Sequence, residues 1–191
     1  MSDMIEIRWH GRGGQGVKTA ATLLAEVALN EGKYGQGFPE YGPERMGAPM
    51  RGFTRLAEEP IHIHCGIANP GTVIVLDNTL LGLSGLDVTE GMPAGGTLVV
   101  NINQTPEEIK HLIPRTDLRV FTVDATQIAI DEIGRPIPNT PMIGALVKAT
   151  GVIKLETVLE DIDRKFGKKF PAKVIEGNKK AIIRAFEEVR G

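Results

Sequence analysis

Residues 9–17 read WHGRGGQGV, and the fold turns on how this stretch is interpreted. It follows the alternating run Met4-Ile5-Glu6-Ile7-Arg8-Trp9 and precedes TAATLLAEVAL at 19–29, so the order is strand, glycine loop, helix. Gly11, Gly13 and Gly16 have the G-x-G-x-x-G spacing of dinucleotide-binding turns. Glycine suits such a turn because it accepts positive φ and lets the backbone approach another group closely. The helix that follows aims unpaired N–H groups and a partial positive charge at the same spot, which suits phosphate. The same residues also fit a tight strand-to-helix turn that holds no ligand.

Outward from the loop, Ala20, Ala21, Leu23, Leu24, Val27 and Ala28 form a broad apolar helical face, and Gly32 is placed to cap the helix. Lys33–Phe38 then reads as the second strand of a mononucleotide-binding unit. A dinucleotide site places Asp or Glu at the end of that strand to hold ribose hydroxyls. Here the strand ends in Gly37-Phe38-Pro39, and Glu40 comes later, which weighs against a nicotinamide cofactor. The segment FPEYGPERMG, 38–47, is too rich in Pro and Gly for a regular element. Residues 48–58 read as a strand, with Arg51, Phe53 and Arg55 on one face. Ile61-His62-Ile63-His64-Cys65 also alternates, which predicts a hairpin around Ala57–Pro60. His62 and His64 share a face of that strand, but Cys65 points the other way and a metal site needs further ligands. No metal site is assigned.

Thr72-Val73-Ile74-Val75-Leu76 fits a central parallel strand buried on both faces, and Asp77 stands at its carboxyl end, where open α/β sheets bind ligands. Residues 78–82 begin a short helix. Residues 97–101 and 119–123 read as further parallel strands, the second followed by Asp124 and a helix over 125–133. Thr105-Pro106-Glu107-Glu108 has the cap chemistry of a helix start. After the stiff connector GRPIPNTP, 134–141, helices are expected at about 142–150, 155–166 and 172–190. The expected architecture is α/β: a Rossmann-like, mostly parallel sheet with an inserted β-hairpin and a helical C-terminal layer. Residues 1–191 are expected to form one domain, with the helices from about 142 packed on it.

Composition narrows the functional classes. A net charge of −2, no Lys/Arg cluster and only 5% aromatics offer neither a basic field nor a stacking platform for nucleic acid. Cys65 is the only cysteine, so the chain has neither a disulfide framework nor an iron–sulfur ligand set. No apolar run reaches membrane-spanning length, and MSDMIEIRWHG lacks a signal-peptide core, which points to a cytoplasmic protein and no membrane partner. No acid–base constellation stands out, and no catalytic residue is assigned.

Three blocks coincide: GRGGQGV at 11–17, FPEYGPERMGAP with RGFTR at 38–55, and PNTPMIGAL at 138–146. A looser one is FPAKVIEGNKKAI at 170–182. Together they resemble the gamma subunit of the 2-oxoacid:ferredoxin oxidoreductases, most closely the pyruvate:ferredoxin branch, over essentially the whole chain. The resemblance implies alpha and beta partner subunits holding thiamine diphosphate and a delta partner subunit carrying two [4Fe–4S] clusters. It implies a reaction that takes pyruvate and coenzyme A to acetyl-CoA, carbon dioxide and reduced ferredoxin. Another 2-oxoacid (2-oxoisovalerate, 2-oxoglutarate or indolepyruvate) and a purely structural subunit are the alternatives. This chain lacks the GDG signature of thiamine binding and is expected to hold no cofactor alone. On the resemblance, Gly11, Gly13, Gly14, Gln15, Gly16 and Lys18 face coenzyme A, with Asn139 and Thr140 adding polar contacts; alternatively, Gln15 orders the thiamine site across a subunit boundary. Tyr41, Arg45 and Arg51 are the expected interface anchors, since Tyr and Arg are favoured there. The competing role for Arg45 is an ion pair with Glu40 or Glu44.

Overall fold

The computed structural model describes residues 4–40, 47–167 and 170–191. Strand β1 (Ile5–Arg12) sends Ile7 and Trp9 to one face and Arg8 and His10 to the other, and it continues past Trp9 into the glycine motif. Helix α1 (Val17–Asn30) follows. The chain then forms β2 (Tyr34–Pro39), β3 (Pro49–Ala57), β4 (Thr72–Val75), β5 (Thr97–Asn101) and β6 (Arg119–Val123). It ends in α2 (Ala125–Ile133), α3 (Asn139–Thr150), α4 (Leu155–Phe166) and α5 (Ala172–Glu188).

The sheet order is β2-β3-β1-β4-β5-β6. β1, β4, β5 and β6 pair in parallel, whereas β3 is antiparallel to both β1 and β2. Only β3 therefore runs against the rest, and the α/β, mostly parallel architecture is the expected one.

The hairpin is built differently from the expectation. It is β2–β3, and β3 lies between β2 and β1, so β2 is not the neighbour of β1 that a mononucleotide unit requires. Gly35 and Gly37 explain why β2 sits where it does. A Cβ on either would overlap the carbonyls of Ala25 or Ala21, so α1 lies directly on this strand. Residues 61–65 form no strand, and His62 to Cys65 are exposed. Their alternation has no buried face to fix a register, and a strand is weakly specified without one. At 105, the cap chemistry is present, since the Thr105 N–H and hydroxyl both donate to the Glu108 carboxylate. Only a 3-10 turn at Lys110–Leu112 follows, because Pro114 ends the stretch before a helix can develop.

Two apolar clusters fill the faces of the sheet. Ile7, Trp9, Leu56, Ile74, Val99 and Val123 pack under residues from all five helices. The opposite cluster, with Val73, Val75, Leu98 and Val100, is closed by Leu80, from the short 3-10 helix Asn78–Leu80, and by Val88, Met92, Ile109 and Ile113 from turns and loops, with no α-helix among the described residues on that side. Helix α3 is the centre of the helical layer and is buried from Thr140 to Val147. At the outer edge of β6, Arg190 exchanges two backbone hydrogen bonds with Thr122 (2.8 and 2.9 Å), so the C-terminal segment covers that edge.

Candidate ligand site at the glycine loop

The loop leaves β1 at Arg12 and enters α1 at Val17. The Gly13 N–H donates to the Ala48 carbonyl at 3.1 Å, and the Gln15 N–H donates to the Arg12 carbonyl at 3.1 Å. Gly14 (φ 98°) and Gly16 (φ 82°) are left-handed, which explains glycine at both positions. Gly11 differs: it is an ordinary β1 residue opposite Met50, and a Cβ there would stand 2.6 Å from a Val17 methyl. Its role is close packing of strand on helix.

Gly16 caps α1 without any side-chain hydrogen bond, so the first N–H groups of the helix lack that partner. Helix α3 also begins without a side-chain cap, at Asn139. The two starts meet: a Cβ on Gly16 would lie 2.6 Å from Asn139 Nδ2. Two helix amino ends, each with partial positive charge, thus converge at Gly16. Lys18 is exposed in the first turn of α1. Thr140 turns away. It is buried, and its hydroxyl donates to Asn178 Oδ1 at 2.9 Å, so it joins α3 to α5.

Gln15 is held inside the fold at both ends of its carboxamide. Oε1 accepts the Arg12 N–H at 2.7 Å, and Nε2 donates to Asp77 Oδ2 at 2.7 Å. Asp77 also accepts the Thr79 N–H at 3.0 Å and faces Arg12 Nε at 3.3 Å. Partial burial pushes the Asp77 carboxyl up. The Thr79 hydroxyl, the Gln15 carboxamide, the Thr79 N–H and the Arg12 charge outweigh it and hold the group below its ordinary value.

Beyond Asp77, a cavity of about 370 Å³ opens at the carboxyl ends of β4, β5 and β6, with Asn78, Asn101, Asp124 and Thr126 in its wall. Buried Asn101 donates to the Leu76 carbonyl and to Thr126 Oγ1, both at 2.7 Å, and accepts the Thr126 N–H at 3.1 Å. Asp124 caps α2 through the Gln127 N–H at 3.0 Å. Carboxylates and neutral amides suit hydroxyl or amide groups here; an anion is better served at Gly14 to Asn139. On the side of β1 where a dinucleotide's ribose acid would stand, the start of β3 takes the space, with Ala48 bonded to Gly13.

Behind the loop, His10 is buried and accepts Arg8 Nε at Nε2, 3.0 Å away. Burial, then the charges of Arg8 and Arg51, lower its pKa to about 3, so the ring is neutral. Arg51 forms a two-point ion pair with Glu40, and both side chains are about two-fifths exposed (42% and 43%). Tyr41 and Arg45 lie outside the described residues. Among the described residues no group of three or more His, Cys, Asp or Glu is arranged for a metal, and no helix is long and apolar enough to cross a membrane.

Sequence reasoning flagged Asp77 and Asp124 as strand-end acids but passed over Arg12, Thr79 and Asn101. Arg12 was hidden as a variable position of the glycine motif. Asn101, at the end of β5, carried the strand-end signal that made Asp77 visible.

A glycine loop between β1 and α1, with a second helix amino end beside it at the carboxyl edge of a mostly parallel sheet, defines an α/β chain with a Rossmann-like first unit. The chain belongs to the pyruvate ferredoxin/flavodoxin oxidoreductase family, whose model matches residues 6–188, and within it is a gamma-type subunit. It is similar to the pyruvate synthase subunit PorC of Thermotoga maritima, with 49% identity over 187 residues, 97% of this chain and 94% of the relative. It is also similar to the common gamma subunit of the pyruvate/ketoisovalerate oxidoreductases of Thermococcus litoralis, with 47% identity over 97% of each chain. The crystal structure of pyruvate oxidoreductase subunit PORC from Thermotoga maritima matches with a TM-score of 0.86 and 46% identity, over 98% of this chain and 97% of that one.

Proposed function

We propose that this chain is the gamma subunit of a pyruvate:ferredoxin oxidoreductase and that its glycine loop helps hold coenzyme A for acyl transfer. Thiamine diphosphate and the [4Fe–4S] clusters belong to partner alpha, beta and delta subunits, and ferredoxin is reached only through them. The whole chain works as one domain, inactive by itself. The observation that carries the coenzyme A reading is the meeting of the α1 and α3 amino ends at Gly16 and Asn139, neither capped by a side chain. Such ends bind phosphate through backbone N–H groups. Gly14 faces open space: a Cβ there meets nothing within 4 Å, so a side chain would project into the space of a ligand, at the cost of straining a loop residue whose φ is 98°. A relative that serves both pyruvate and ketoisovalerate enzymes supports a role on the side of the shared substrate, coenzyme A, rather than of the 2-oxoacid.

The test is Gly14→Val in the assembled enzyme. The apparent KM for coenzyme A rises while decarboxylation of the 2-oxoacid continues. An equal fall in decarboxylation and acyl-CoA formation contradicts the reading. A second reading has one observation in its favour: Gln15 spends its carboxamide on Arg12 and Asp77. The loop is then a structural joint and the chain a scaffold, and Gly14→Val leaves the KM unchanged. The assembly role rests on the segment from Phe38 to Gly52, within which Glu40 and Arg51 form an ion pair. Arg45→Ala weakens co-purification with the partner subunits; full assembly and turnover would count against that role.

A further inference from the structure

We propose that Arg12 is a positioning residue that fixes the glycine loop between the segment before β3 and the turn after β4, and thereby sets its affinity for coenzyme A. This rests on the coenzyme A reading above. Arg12 fills the variable second position of the motif, where the turn itself makes no demand on a side chain. Its guanidinium nevertheless reaches three acceptors on two separate pieces of chain. Nη1 donates to the Gly47 carbonyl at 3.2 Å, Nη2 donates to Thr79 Oγ1 at 2.9 Å, and Nε lies 3.3 Å from Asp77 Oδ2.

The backbone of the same residue closes the network. The Arg12 N–H is held by Gln15 Oε1, and Gln15 Nε2 is held by Asp77. The loop is thus tied on one side to Gly47 and Ala48 and on the other to Asp77 and Thr79. Both Asp77 oxygens are engaged by these partners, so Asp77 braces the loop and is not itself a ligand group. A planar fork is what three divergent acceptors require, and a lysine ammonium cannot span them. Gly47 also lies within the proposed assembly segment, Phe38 to Gly52, so one side chain links that segment to the ligand loop.

The experiment uses the assembled enzyme with coenzyme A as the varied substrate. It compares Arg12→Gln, Arg12→Lys, Asp77→Asn, the double variant Arg12→Gln/Asp77→Asn and Gly14→Val. Arg184→Ala, whose ion pairs reach Asp131 and Glu132 of α2 and Glu188 of its own helix α5, is the control. Arg12→Gln raises the apparent KM for coenzyme A on the order of tenfold, in keeping with lost hydrogen bonds to a charged group. It leaves kcat and 2-oxoacid decarboxylation nearly unchanged. Arg12→Lys recovers little of the loss. The double variant costs less than the product of the single effects, because both act through one network. Amide exchange at Gly13 to Gln15 quickens in Arg12→Gln and not in the control. If Gly14→Val raises the KM and neither Arg12 variant does, the positioning role is wrong and the coenzyme A reading stands. If none of the three moves it, both fail. Equal losses in every step, with exchange faster throughout the chain, reduce Arg12 to a general stabiliser and overturn the proposal, as does failure of both Arg12 variants to assemble.

Discussion

Thr54→Val removes a hydroxyl that joins three elements behind the ligand loop. Trp9 on β1 donates its indole N–H to Thr54 Oγ1 at 3.0 Å, and the same hydroxyl donates to the Ala21 carbonyl of α1 at 2.9 Å. Trp9 and Thr54 are both 0% exposed, so water cannot replace the lost partner. Valine has nearly the shape of threonine, so the change opens no cavity and its effect is polar. An unsatisfied buried donor costs about 1–3 kcal/mol, and the lost bond to Ala21 adds about 0.5–1.5 kcal/mol, softened because that carbonyl keeps its helical role. A loss of about 2–3 kcal/mol corresponds to roughly 4–12 °C in Tm for a chain of this size. Trp9 is the only tryptophan, so its fluorescence follows the affected core directly during urea unfolding. The midpoint falls without a change in m-value. Thr54→Ser keeps the hydroxyl and loses only a methyl, so it is the milder variant. If Thr54→Val matches the parent, or Thr54→Ser is as damaging as Thr54→Val, the hydroxyl brace is not what holds α1 to the sheet.

Gly16→Ala costs more than the roughly 1–2 kcal/mol of a left-handed alanine, because the new Cβ also meets Asn139. Asn139→Gly in the same chain returns the collision part, and identical urea midpoints with and without it would argue that the two helix starts are not in contact. His10 has a folded pKa of about 3, depressed below its ordinary 6.5. Its stabilising contribution is full above pH 6.5 and is lost as pH falls toward 3, with a slope of at most about 1.4 kcal/mol per pH unit. His10→Gln keeps an acceptor for Arg8 and flattens stability between pH 6 and 4; an unchanged slope would mean that another group carries it.

Much of the fold was legible because its signals are local. The apolar runs of β4, β5 and β6 and the stripe of α1 announce elements whose neighbours are apolar whatever the topology. The placement of β2 was not legible. It depends on Gly35 and Gly37 meeting the backbone of α1, and a glycine in a strand does not reveal what approaches it. Residues 61–65 misled in the opposite way, since their alternation is real but neither of its faces is buried. At the site, the glycine loop was visible as spacing, and the block containing Asn139 was visible as a resemblance. Their meeting at Gly16 is a tertiary fact that neither stretch encodes alone. The companion residue Thr140 belongs to the joint between α3 and α5, because a buried hydroxyl takes the nearest acceptor, here Asn178. Arg12 escaped notice because its partners, Gly47, Asp77 and Thr79, come from segments that only the sheet order brings together.

Backbone hydrogen exchange of the assembled enzyme, with and without saturating coenzyme A, measures the central claim at the residues that carry it. The account predicts slower exchange at Gly13 to Lys18 and at Asn139 when coenzyme A is present, with β4 and β5 unaffected. Exchange at the glycine loop and at the start of α3 that is the same in both states, while coenzyme A demonstrably turns over, would contradict it.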